Sequence, residues 1–263
     1  HDENSFIPNW AMWYVIELKD YFDRTQDREL IDRAKEKVYG VIEYFEKFKN
    51  GYGLLENLQS WIFVEHSIAN TLDYVKGVNF PSNMVYSAML KAAGELYADE
   101  RLLVQAEYIK QQVVKYAFNG KLFVDNAEVV EGKIVPFTDH ISETCQYYAL
   151  FFKFKPNKTY ATKIYEKFGP LRAQSYLPEI GRSNMFIGNY LRFFWLCEEG
   201  KYERVLTEML EYFATMARET GTLWEHDSPQ ASCNHGFASV AAVLILRCTL
   251  GFDTVKKGRV TFL

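Results

Sequence analysis

The chain has 263 residues, enough for a sizeable core, and 48% of them are hydrophobic, with Tyr, Phe and Trp abundant. Its formal net charge is -4, and no Lys/Arg run exceeds a pair, which argues against a nucleic-acid or anionic-membrane surface. Four cysteines without paired spacing suggest neither a disulfide framework nor a CxxC metal site, and no apolar run reaches membrane length.

The pattern is helical almost throughout. Residues Pro8–Phe22 are apolar around most of their circumference, whereas Glu29–Phe48 carries one apolar stripe, Leu30, Ile31, Ala34, Val38, Val41, Ile42 and Phe45. Pro81–Leu96 returns to the all-round apolar type and Tyr97–Phe118 to the striped type. Lys121–Pro136, "KLFVDNAEVVEGKIVP", alternates and predicts a β-hairpin. His140–Phe154, Ser183–Leu196 and Asn234–Leu250 are again broadly apolar, separated by the striped Thr159–Phe168 and Tyr202–Arg218. The closing "KKGRVTFL" reads as a strand beginning. Helices apolar all round must be covered on all sides, so the alternation predicts an inner layer surrounded by an outer one.

Polar and aromatic residues gather at the starts of the inner-type helices: Trp10, Asn83, His140 with Glu143, Asn184, and Asn234 with His235. The loops carrying Trp61, Glu65, Trp224 and Glu225 lead into those same ends. In a two-layer helical ring these positions would converge on one concave mouth. Tryptophan faces stack on sugar C–H surfaces, and carboxylates and imidazoles bind hydroxyls, so the expected ligand is a carbohydrate. Glycoside cleavage usually needs two carboxylic groups, and Glu225, in "LWEHDS", is the first candidate for one. A solvated loop glutamate is the competing explanation, about as good once Trp224 and His226 are counted. Glu65, in "SWIFVEHS", has similar surroundings, with a packed loop as its competing explanation. His140 and Glu143 are explained slightly better as a helix start. No ligand spacing links His226, Asp227 and His235 into a metal site.

The segments "FIPNWAMWYVIELKDYFDRTQDRELI", "SWIFVEHSIAN", "HISETCQYYALFF", "SNMFIGNYLRFFWL" and "GTLWEHDSPQASCNHGFASVAAVLILRCTLGF" occur in order. Together they resemble the catalytic domain of the family 78 glycoside hydrolases, the bacterial α-L-rhamnosidases. The resemblance implies an all-α fold, an (α/α)6 toroid of the six-hairpin type, here incomplete at its N-terminus over residues 1–252, with a small β-hairpin insertion. Residues 253–263 would start a C-terminal β segment or linker. It implies removal of terminal α-L-rhamnose with inversion, without metal or organic cofactor. Glu225 matches the family's catalytic base, His235 a sugar-binding histidine, and Trp10 and Trp61 aromatic walls of the rhamnose pocket. Glu65 and Trp224 lie beside matched positions and are expected to contact substrate. The family's general acid falls in a segment upstream of "IPNW", so these residues alone are expected to be inactive or nearly so. An incomplete ring is also expected to self-associate through its open apolar flanks. The compartment stays open.

Two other readings compete. An unsaturated uronidase or uronate lyase on a similar helical ring would want Arg or Lys in the mouth. A non-catalytic helical scaffold should repeat at a fixed period, and the inner helices here start near residues 9, 81, 140, 183 and 234, which is irregular.

Overall fold

The computed structural model of the protein describes residues 6–157, 159–256 and 259–262. Helix accounts for 57% of the chain and a small antiparallel sheet is inserted, so the chain is mostly helical as expected. The chain forms two compact units, one from residues up to Val64 with Asn70–His140, the other from Glu65–Ala69 with Ile141–Thr254.

In the first unit, α1 (Pro8–Thr25), α2 (Arg28–Glu46), α3 (Leu72–Val75), α4 (Phe80–Tyr97) and α5 (Glu100–Ala117) accompany β1 (Val78–Asn79), β2 (Asn126–Val130) and β3 (Lys133–Pro136). α4 is the covered helix, with α1 and α5 packed on it and nearly every side chain buried. Side-chain caps fix the starts: Asp27 accepts from the Leu30 amide, Asn79 from that of Ser82, and Asp99 from that of Arg101. The predicted hairpin is β2–β3, turned by Glu131 and Gly132, both at positive φ, as a two-residue hairpin turn requires. β1 adds a third strand through Val78 opposite Ala127, a pairing too short to show in the sequence.

The polar residues expected at a mouth have packing duties in this unit. Asn83 accepts from the Leu55 amide at 2.7 Å and donates to the Leu55 and Asn79 carbonyls. His140 stacks on Tyr74 and Phe137, with Nδ1 2.8 Å from Asn126 Oδ1. The helix predicted from His140 starts only at Glu143, where Ser142 caps it by accepting from the Cys145 amide at 3.1 Å.

The second unit contains α6 (Glu143–Phe151), α7 (Tyr160–Lys167), α8 (Gly188–Glu198), α9 (Tyr202–Thr220) and α10 (Val240–Leu250). α6 and α10 pack on α8, and α10 also packs on α9. Arg192 on α8 and Glu208 on α9 are fully buried and paired through two bonds, at 2.6 and 2.7 Å. Gly169 lies against this pair at φ +118°, and a Cβ there would meet Arg192 Nε at 2.7 Å and Glu208 Oε1 at 2.8 Å. Gly169→Ala should therefore cost about 2–3 kcal/mol of stability, read as a lowered urea midpoint with an unchanged slope. α10 departs from expectation. Its Val240, Ala241 and Leu244 are buried, but Val243, Ile245, Leu246 and Leu250 are 46% or more exposed, so it is not covered on all sides.

Near the C-terminus β4 (Phe252–Lys256) and β5 (Arg259–Phe262) pair. Lys257, Gly258 and Leu263 of the predicted β segment lie outside the described residues.

Candidate functional site

The second unit builds a site around the loop that follows α9. Gly221 ends α9 in the left-handed region and turns the chain out. The two arms of the loop then pair: the Glu225 amide donates to the Ser232 carbonyl at 3.0 Å, and the His235 amide to the Leu223 carbonyl at 3.1 Å. Trp224 is 3% exposed, and its indole N–H donates to Thr220 Oγ1 at 2.7 Å. Its burial and this bond make it the anchor of the loop. Its neighbour Glu225 points the other way and stays a quarter exposed.

Glu225 faces imidazoles. His66 Nε2 lies 3.1 Å from Glu225 Oε1, and since a carboxylate only accepts, the proton belongs on Nε2. The Ser232 amide donates to Oε2 at 3.4 Å. Partial burial pushes the Glu225 carboxyl up, but the Ser232 amide and the charges of His66 and His235 outweigh it and hold it below the usual value. His66 is lowered by burial first and by the neighbouring His226 second. The His66 ring lies 4.7 Å from that of His226 and 5.5 Å from that of Phe186, which in turn stacks 5.6 Å from His235. His235 Nδ1 accepts from the Phe237 amide at 3.3 Å, which in the neutral ring leaves Nε2–H to donate outward.

Beneath this surface lies Glu65, fully buried. It accepts from Thr144 Oγ1 at 2.5 Å, Ser183 Oγ at 3.1 Å, the Asn184 amide at 2.8 Å and the Gly188 amide at 2.9 Å. A Cβ at Gly188 would sit 2.5 Å from Glu65 Oε1, so only glycine permits this approach. With its oxygens taken, Glu65 holds the segments that carry His66 and Asn184, a packing role at a position where the sequence suggested a substrate contact. Burial pushes its carboxyl up to about 7 against the pull of these donors. A carboxyl raised in the fold binds its proton more tightly there than in the unfolded chain. Its contribution is thus complete below the unfolded value of 4.5 and lost as pH rises to about 7, a span worth about 3 kcal/mol. Glu65→Gln mimics the protonated form. The variant should be as stable as wild type near pH 5, more stable at pH 8, and should flatten the fall in urea midpoint between them.

Glu143 is also buried, paired with Arg172 at 2.7 Å off the hydrogen-bonding direction, with its other oxygen accepting from Tyr147. Asn184 donates to the His66 carbonyl at 3.1 Å and to Asp227 Oδ1 at 2.8 Å, and its Oδ1 accepts from the Tyr212 hydroxyl. Thr144, Phe186 and Tyr212 were not legible as site residues, because Thr144 and Phe186 belong to an apolar helix and the approach to another, and Tyr212 sits off the apolar stripe of α9.

In the first unit, Trp10 and Trp61 are each about half exposed and flank Phe63, their ring centroids 6.3 and 5.4 Å from its own. Among the described residues no group of three or more His, Cys, Asp or Glu could hold a metal ion, and no helix is long and apolar enough to cross a membrane.

No protein-family model matches the chain, and no curated protein matches it. Among solved structures it is similar to the crystal structure of a GH78 family rhamnosidase of Bacillus sp. GL1, with a TM-score of 0.74 at 16% identity over 96% of this chain. At that identity the likeness is one of fold. The chain spans about a quarter of the length of that structure, 27%.

Proposed function

We propose that the chain is part of a glycoside hydrolase built on an (α/α)6 toroid, acting with inversion on terminal α-L-rhamnose, with Glu225 as general base. The observation that carries this reading is the setting of Glu225. It is a solvent-accessible carboxylate held below its ordinary pKa, with a histidine and a main-chain amide fixing its two oxygens. An ionised, oriented carboxylate is what water needs to lose a proton as it attacks an anomeric carbon. His235 would donate Nε2–H to a sugar hydroxyl, and Trp10 and Trp61 would offer faces to sugar rings. Fold likeness to a rhamnosidase and the ordered motif resemblance support the same substrate class. The uronate reading gains nothing from this setting, since the side chains nearest Glu225 are imidazoles and not Arg or Lys. The exposed apolar side of α10 supports self-association of these 263 residues in solution.

The reading is tested by hydrolysis of p-nitrophenyl α-L-rhamnoside by the protein as its cell makes it, before and after Glu225→Gln. His66→Gln provides a second test. Removing the imidazole raises the Glu225 pKa, so the acidic limb of kcat/KM should move to higher pH while the alkaline limb stays put. An acidic limb unmoved by His66→Gln would sever His66 from the base.

A further inference from the structure

The second unit also has an open cavity of about 750 Å³ that Glu225 does not line. It lies between α9, the 66–68 and 170–184 segments and the loop after α9, with His66 on the wall it shares with Glu225, within the usual size of small-molecule sites of about 300–1,000 Å³. Asn189, on the first turn of α8, lines it and is only 1% exposed. Both its carboxamide nitrogen and its carboxamide oxygen lack a hydrogen-bond partner among the described residues. Leaving such a group unsatisfied in a protein interior is costly, so its retention calls for a ligand that completes it.

The rest of the wall narrows the chemistry. Arg182 is spent on the Pro170 and Arg172 main-chain carbonyls. Tyr212, Asn184 and Asp227 bond one another. Two carboxylates, Glu211 and Asp227, outnumber the Arg182 guanidinium on the wall, which disfavours an anion, while Leu171, Met216 and Trp224 supply apolar surface. A carboxamide that can donate and accept side by side, next to apolar side chains, matches adjacent hydroxyls on a ring with a C–H face. We infer that this cavity is a second binding site, for a neutral sugar, with Asn189 as its central contact. It rests on Asn189 and the cavity, and not on hydrolysis at Glu225. Because Trp224 and Asp227 both line the cavity and flank Glu225, an occupant would brace the loop that carries the carboxylate.

The test is a titration of the chain with methyl α-L-rhamnoside and methyl β-D-glucoside, with glucuronate as the charged control, followed by the NMR signals of the Asn189 side-chain amide. At least one neutral glycoside should shift those signals saturably, and glucuronate should not. Asn189→Leu removes the polar atoms at similar volume. It should keep or raise the melting temperature and weaken binding by about tenfold or more. Thr215→Trp, at the exposed rim, should block entry without touching the core, and carries the test if Asn189→Leu fails to fold. Glu225→Gln should still shift the Asn189 signals, whether or not hydrolysis is lost. Unshifted Asn189 signals, equal response to glucuronate, or wild-type affinity in Thr215→Trp would overturn the assignment.

Discussion

Glu225→Gln should lower kcat for α-L-rhamnoside hydrolysis by about 10³-fold, within the range for removing a positioned general base, with KM changed little. The substitution is nearly isosteric. A glutamine oxygen still accepts from His66 Nε2; its NH2 gives up the 3.4 Å bond from the Ser232 amide, but the main-chain pairing of the loop between Leu223 and His235 does not depend on the side chain. What disappears is the capacity to take a proton from water. A melting temperature equal to wild type alongside the lost rate would separate chemistry from folding. Retention of most of the rate would move the base elsewhere.

Glu208→Ala should have the largest effect on stability, about 3–5 kcal/mol, because it strands the Arg192 guanidinium in the core of the second unit. Among the described residues Arg192 would keep the Ile164 carbonyl, at 3.3 Å, the face of Tyr147, 5.4 Å from its guanidinium carbon, and the more distant charge of Glu143. Arg204, which also bonds Glu208, sits at the edge and can turn to water. Replacing both members, as Arg192→Met with Glu208→Leu, should recover most of the loss, since the cost lies in an unpaired buried charge and not in missing volume. Urea unfolding of the single and double variants checks this. A double variant no more stable than Glu208→Ala would assign the loss to packing.

Much of the helical order was legible because burial imposes a period. The stripe of Val205, Met209, Phe213 and Met216 on α9 is buried as the pattern requires. Glu208 shows where the pattern misleads. It sits beside Val205 on the buried face, and only an arginine within the apolar "GNYLRFFWL" hinted that a charge awaited it there. The asymmetry between Trp224 and Glu225 was half legible. Adjacent residues in an extended loop point opposite ways, so one of the pair had to face inward, but the sequence did not say which. Thr220, the last residue of α9, decides it by offering a hydroxyl to the indole N–H. Glu65 was expected to contact substrate because its loop also carries Trp61 and His66. Its partners, Thr144, Ser183 and the amides of Asn184 and Gly188, lie some 80 to 120 residues away, and no local pattern announces such convergence.

The central claim is that Glu225 activates water against an α-L-rhamnoside. Time-resolved proton NMR of the sugar released from p-nitrophenyl α-L-rhamnoside, by the protein as its cell makes it, tests this most directly. Water delivered from the face opposite the leaving group gives β-L-rhamnose first, with the α anomer appearing only as the sugar mutarotates. The account predicts that order, and its disappearance together with the reaction in Glu225→Gln. The α anomer as first product, or the same β-first burst at wild-type rate from Glu225→Gln, would contradict it.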